Sequence, residues 1–143
     1  MAITRSYKRG LEFPHEGFVQ AAIESHFLTC GFDLATDSHV DLRCTHPATG
    51  ETWHIEAKGV TTQVGLDFRT CLGQLLQGMT EDGAKYGIAI PDTSAFHSQV
   101  ARMSPSVITR LQLHWLVVSQ DGSVRIESPP NALPTLCGMR NTT

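Results

Sequence analysis

Charge is scarce in this sequence. Only 17% of its 143 residues are Asp, Glu, Lys or Arg, against roughly 25% in ordinary soluble domains. Neither sign is in large excess: 11 Lys and Arg face 14 Asp and Glu, a formal net charge of −3. A protein that coats nucleic acid through overall basicity is thereby excluded, and any contact with DNA or RNA has to use a local patch. Long apolar runs are missing too, since no window reaches the ~18 residues a membrane span needs. The opening Met-Ala-Ile-Thr-Arg-Ser-Tyr-Lys-Arg has no apolar stretch of the signal-peptide kind, so a cytoplasmic location away from membranes is expected. Cysteine is sparse: Cys30, Cys44, Cys71 and Cys137 form no CxxC pair. Reduced, mostly buried thiols are expected. A zinc site would have to combine Cys44 and His46 with Cys30 or His39, and these spacings do not match the usual zinc patterns.

What is present is material for a core. Hydrophobic residues make up 41% of the chain, enough for one domain of ordinary size. We take residues 1–143 as that domain, with a basic arm at 1–10 (Arg5, Lys8, Arg9) and an irregular tail at 128–143. Phe18, Ala21, Ala22, Phe27 and Leu28 predict a helix from Glu16 to Thr29, opened near Pro14 and stopped at Gly31. His39 to Cys44 and Thr52 to Val60 alternate as strands around a turn at His46-Pro47-Ala48-Thr49-Gly50-Glu51. A second helix is predicted from Leu66 to Met79, then a strand from Tyr86 to Ile90. Ser94 to Leu111 is helical but kinked or split at Pro105. His114 to Ser119 and Ser123 to Glu127 close the list of strands. The order α-β-β-α-β-α-β-β describes an α/β fold, a central mixed sheet flanked by helices.

The hairpin carries the chemistry. Centring its turn between Ala48 and Thr49 places Asp41 opposite Glu56, with Cβ atoms ~5 Å apart. Lys58 lies two residues beyond Glu56 and therefore shares its face. Val40, Leu42, Ile55 and Ala57 fall on the other face, and Trp53 is expected in the core. Two carboxylates this close repel unless something compensates them. Mg²⁺ would, because it prefers hard oxygen ligands and keeps waters for a phosphate substrate. An adjacent lysine suits orientation of a metal-bound water. The bland alternative is a solvated sheet face with a weak salt bridge.

Asp41 and, after fourteen intervening residues, Glu56-Ala57-Lys58 resemble the PD-(D/E)XK motif of the restriction-endonuclease-like superfamily. The element order is similar to that superfamily's core. The resemblance implies Asp41, Glu56 and the Ala57 carbonyl as ligands of Mg²⁺ or Mn²⁺, and Lys58 as the residue serving the attacking water. It also implies site roles for Glu24 in the first helix and Gln74 in the second. Leu72-Gly73-Gln74, Ala89-Ile90-Pro91-Asp92-Thr93, Arg110-Leu111-Gln112-Leu113 and Leu116-Val117-Val118 extend a narrower resemblance to the XisH family, small proteins of this fold linked to DNA-element excision.

The expected activity is therefore metal-dependent hydrolysis of DNA, with target choice supplied by DNA structure, a homodimer or a small partner subunit. The alternative is a catalytically silent DNA-binding or assembly subunit of an excision system. Arg43, Arg69 and Lys85 are candidates to line a phosphate groove, and His54 shares the motif face.

Overall fold

The computed structural model describes residues 10–36 and 38–136. The basic arm Arg5, Lys8 and Arg9, together with Cys137, lies outside the described residues. A mixed six-stranded sheet is flanked by four helices. In chain order these are α1 (Glu16–Thr29), β1 (Asp33–Leu34), β2 (Leu42–Thr45), β3 (Thr52–Ala57), α2 (Val64–Gln77), β4 (Lys85–Pro91), α3 (Ser94–Ala101), α4 (Pro105–Leu111), β5 (Leu113–Val118) and β6 (Val124–Glu127). Spatial order follows chain order, with β3, β4 and β5 parallel and the outer pairings antiparallel. Among the described residues, no helix is long and apolar enough to cross a membrane.

Two cores sandwich the sheet. On one face α1 buries Val19, Ile23 and Phe27 against Trp53, Ile55, Ala57, Leu116 and Val118. On the other, Phe68, Cys71 and Leu75 of α2 and Phe96 of α3 cover Ile88, Ile90, Leu113, Trp115 and Val117. The end of α1 shows how sequence sets geometry. Gly31 adopts a left-handed φ of 89°, its N–H bonds the Leu28 carbonyl, and the Phe32 N–H reaches back to Phe27. This double closure turns the chain sharply and packs Phe32 edge-on against Phe27, ring centroids 5.1 Å apart. Pro105 splits the third helical stretch as expected, sitting in the first turn of α4, where its missing N–H costs nothing.

Three expectations need correction. The first strand of the hairpin starts at Leu42, not His39, because the chain bends through His39, Val40 and Asp41. β1 was not expected; its two residues are too few to show alternation, and it exists through pairing with Thr45 and Cys44. Cys30 is disulfide-bonded rather than reduced; it sits half-buried at the end of α1. Cys44 and Cys71 are free and buried, as expected.

Strand β5 carries an unusual core residue. His114 is buried between Trp53 and the Tyr86 carbonyl, which accepts from Nδ1 at 3.3 Å, while Nε2 has no partner. Burial pushes its pKa down from 6.5 to about 4. The unfolded chain takes up this proton near 6.5 and the native state resists until about 4, so stability falls as pH drops through that window. Between pH 7 and 5, denaturant titrations should show the native protein losing about 2 kcal/mol more than His114→Gln does.

Candidate active site

The hairpin register is the one expected from its turn. Leu42 pairs with Ile55, Arg43 with His54, Cys44 with Trp53 and Thr45 with Thr52. The ladder stops there because Asp41 bends away from its partner strand. Its carboxylate takes over the role of ladder acceptor: Oδ2 receives the Ala57 N–H at 2.8 Å. Asp41 is thus tied to the backbone between Glu56 and Lys58.

Asp41, Glu56, Lys58 and Gln74 all line one cleft of about 630 Å³, together with His39, His54, Gln77 and Thr80. Four separate segments meet there: the approach to β2, strand β3, helix α2 and the loop after it. Glu56 pairs with Ile88 of β4 and so faces α2. It is 6% exposed. The solvated-face alternative therefore fails for Glu56, since α2 closes over this part of the sheet. Helix α2 contributes Cys71, whose thiol is pushed upward first by burial, then by the Glu56 charge, with Lys58 opposing and Asp41 and Glu16 adding. The charges of Glu56, Lys58 and Asp41 are thus all close enough to act on this buried thiol.

Glu24 is not among the lining residues, yet it is not a surface residue either. It is 6% exposed and accepts from the Gln20 amide at 2.9 Å. The same amide nitrogen donates to the Asp41 carbonyl at 2.9 Å. Gln20, fully buried, thus couples Glu24 to the bend that presents Asp41. Sequence reasoning missed Gln20; its signal was the spacing of one helical turn before Glu24. It also missed Gly59. A Cβ there would stand 2.1 Å from the Glu16 backbone nitrogen, so only glycine lets the chain after Lys58 pass under the start of α1. The Val60 N–H then bonds the Pro14 carbonyl at 2.9 Å, fixing Lys58 between β3 and α1.

Arg43, Arg69 and Lys85 are not among the residues that line the cleft. Lys85 donates to the Leu133 carbonyl at 3.1 Å, on the flank where the tail returns. Arg69 is exposed on α2, near Gln99 of α3. Arg43 pairs with Glu81 at 3.3 Å. His54 does line the cleft, stacked on Tyr86 with ring centroids 5.0 Å apart. Its Nε2 meets Glu81 at 2.7 Å, and this bond, followed by those from Arg43, lowers the Glu81 pKa. Trp53 is core, as expected, with its indole N–H bonded to Glu51.

Solved structures of other proteins share this architecture. An XisH family protein from Nostoc punctiforme aligns with a TM-score of 0.58 at 14% identity, over 78% of this chain and 98% of that one. A FdxN element excision controlling factor protein from Anabaena variabilis gives 0.57 at 16% identity, over 78% and 97%. The fold is the XisH fold. No protein-family model matches the sequence, and no curated protein matches it. The likeness to the XisH proteins rests on three-dimensional arrangement, and it agrees with the α/β fold, a mixed sheet flanked by helices, that the sequence implied.

Proposed function

We propose that the cleft is the active site of a small Mg²⁺-dependent DNA endonuclease of the PD-(D/E)XK type. The observation that carries this reading is the convergence of Asp41, Glu56, Lys58 and Gln74 on one cleft, with Glu56 held at 6% exposure. Burying a carboxylate costs several kcal/mol unless it is compensated, a cost that an apolar residue at this strand position would avoid. Among the described residues, no three His, Cys, Asp or Glu side chains cluster as a complete metal cage. A pair of carboxylates with the remaining positions left to water, a backbone carbonyl and phosphate oxygens is what Mg²⁺ favours.

In this reading Asp41, Glu56 and the Ala57 carbonyl would hold Mg²⁺ or Mn²⁺. A bound divalent ion would polarise the scissile phosphate and lower the pKa of a coordinated water. Lys58 would orient that water and balance charge developing on the phosphate. Gln74, exposed on α2 at the cleft, would hydrogen-bond the nucleic-acid backbone. Glu24 acts through Gln20 on the position of Asp41. The description of one structural neighbour as an element excision controlling factor supports an excised DNA element as the substrate, and a partner subunit or a second copy would select it.

A second reading, a silent DNA-binding or assembly subunit of such a system, is favoured by the neighbour's description as a controlling factor. Incubating the protein with supercoiled, linear and branched DNA in Mg²⁺, Mn²⁺ or EDTA separates the two. Metal-dependent cleavage supports the nuclease. Binding without cleavage of any substrate supports the silent subunit, and neither binding nor cleavage overturns both.

A further inference from the structure

Beside the cleft, Arg43 and His54 converge on one carboxylate of the protein's own, that of Glu81. Arg43 and His54 are directly paired across β2 and β3, so their side chains leave the same face of the hairpin. His54 stands two residues from Glu56 within β3. One such strand step is about 7 Å, comparable to the separation of neighbouring phosphates along one strand of nucleic acid. Both side chains point at a single acceptor. Glu81 Oε1 lies 2.7 Å from His54 Nε2 and 3.3 Å from Arg43 Nη2, and Oε2 lies 3.4 Å from the same Arg43 nitrogen. Stacking on Tyr86 orients the His54 ring, and an imidazole N–H donates to an oxyanion whether the ring is charged or neutral.

The carboxylate is mounted so that it can leave. Tyr86 Oη accepts the Glu81 N–H at 3.0 Å and donates to the Glu81 carbonyl at 3.2 Å. The backbone of this loop is therefore fixed, while the Glu81 side chain is 41% exposed and open to solvent. An exposed ion pair is weakly held, whereas a phosphodiester tethered by the rest of its chain competes at high effective concentration.

We propose that Arg43 and His54 form a subsite for the phosphate next to the scissile one, and that Glu81 occupies it in the free protein as an internal stand-in for that phosphate. The proposal rests on the nuclease reading above for its choice of DNA, but not on catalysis. In chemical terms the subsite takes a phosphodiester oxyanion, and Glu81 is a latch that DNA must displace.

The test measures binding of a fluorescent DNA oligonucleotide in EDTA, where cleavage plays no part. Glu81→Gln should tighten binding about three- to tenfold, as removal of a competing rim charge does. Asp82→Asn, which changes net charge equally on the adjacent exposed residue, should leave binding nearly unchanged. Adding Arg43→Ala to Glu81→Gln should remove the gain. Glu81→Ala repeats the measurement should Glu81→Gln prove unstable. Should no form of the protein bind DNA, inorganic pyrophosphate with His54 ring resonances as readout replaces it. A pyrophosphate response in Glu81→Gln that the unmodified protein lacks would support the subsite while the DNA reading falls. Equal affinities for the unmodified protein and Glu81→Gln, an equal gain in Asp82→Asn, or a gain that survives Arg43→Ala would each overturn the proposal. Metal-dependent cleavage with no gain in Glu81→Gln leaves the nuclease standing and the latch refuted.

Discussion

Lys58→Ala should reduce metal-dependent cleavage of DNA by at least about 100-fold, the range for loss of a group that positions a proton or stabilises developing charge. Binding of the same DNA should change little, because the Lys58 ammonium is expected to act on the water and on charge that appears only in the transition state. The lysine sits at the point where β3 ends and Gly59 carries the chain beneath α1, half-buried rather than displayed. Removing its side chain leaves the backbone bonds of this crossing in place, notably the Lys58 N–H to the Ala89 carbonyl at 2.9 Å. Folding should therefore survive. Single-turnover cleavage and equilibrium binding, measured on one preparation, separate the outcomes. A parallel loss of affinity would make Lys58 a phosphate contact, and unchanged cleavage would remove it from the mechanism.

The sequence carried some of this site openly and some of it not at all. The pairing of Leu42 with Ile55 was legible because Pro47 and Gly50 mark a turn whose centre fixes the register of everything beyond it. Period-2 alternation then put Glu56 and Lys58 on one face. Alternation does not say what lies over that face. The burial of Glu56 depends on α2 packing across β3 and β4 through Phe68, Cys71 and Leu75, a tertiary choice with no local signature. The bend at Asp41 was hidden for a related reason. Val40 and Leu42 keep the strand pattern, but the carboxylate competes for the Ala57 N–H and ends the ladder.

Long-range capture was the least visible. Arg43 and Lys85 looked like equivalent surface cations. Their fates are decided by Glu81 and by the Leu133 carbonyl, each far away along the chain. Gln20 sits in the opposite case: its place one turn before Glu24 was readable, but an uncharged residue on a helix draws attention only once Asp41 is seen beside it.

Asp41→Asn should abolish the protein's thermal response to Mg²⁺ or Mn²⁺ while leaving the fold nearly as stable as before. The substitution keeps the shape of the side chain and an amide oxygen for the Ala57 N–H, so the bond at 2.8 Å persists, weakened by loss of charge assistance. A net hydrogen bond contributes about 1 kcal/mol, which bounds the change without metal. Metal binding behaves differently. A ligand present at ~100 times its Kd stabilises the native state by about 2.7 kcal/mol, which is a shift of several degrees in Tm for a domain of this size. With Asp41 neutral, one of the two carboxylates proposed to hold the ion would be gone, and that shift should vanish or shrink to a small fraction. Melting curves of both proteins with and without metal carry the whole comparison. If neither protein responds to the ion and the variant is plainly destabilised, Asp41 serves only to hold the hairpin to Ala57, and the metal-dependent nuclease reading fails. A response that persists undiminished in Asp41→Asn would place the ion elsewhere and remove Asp41 from its ligands.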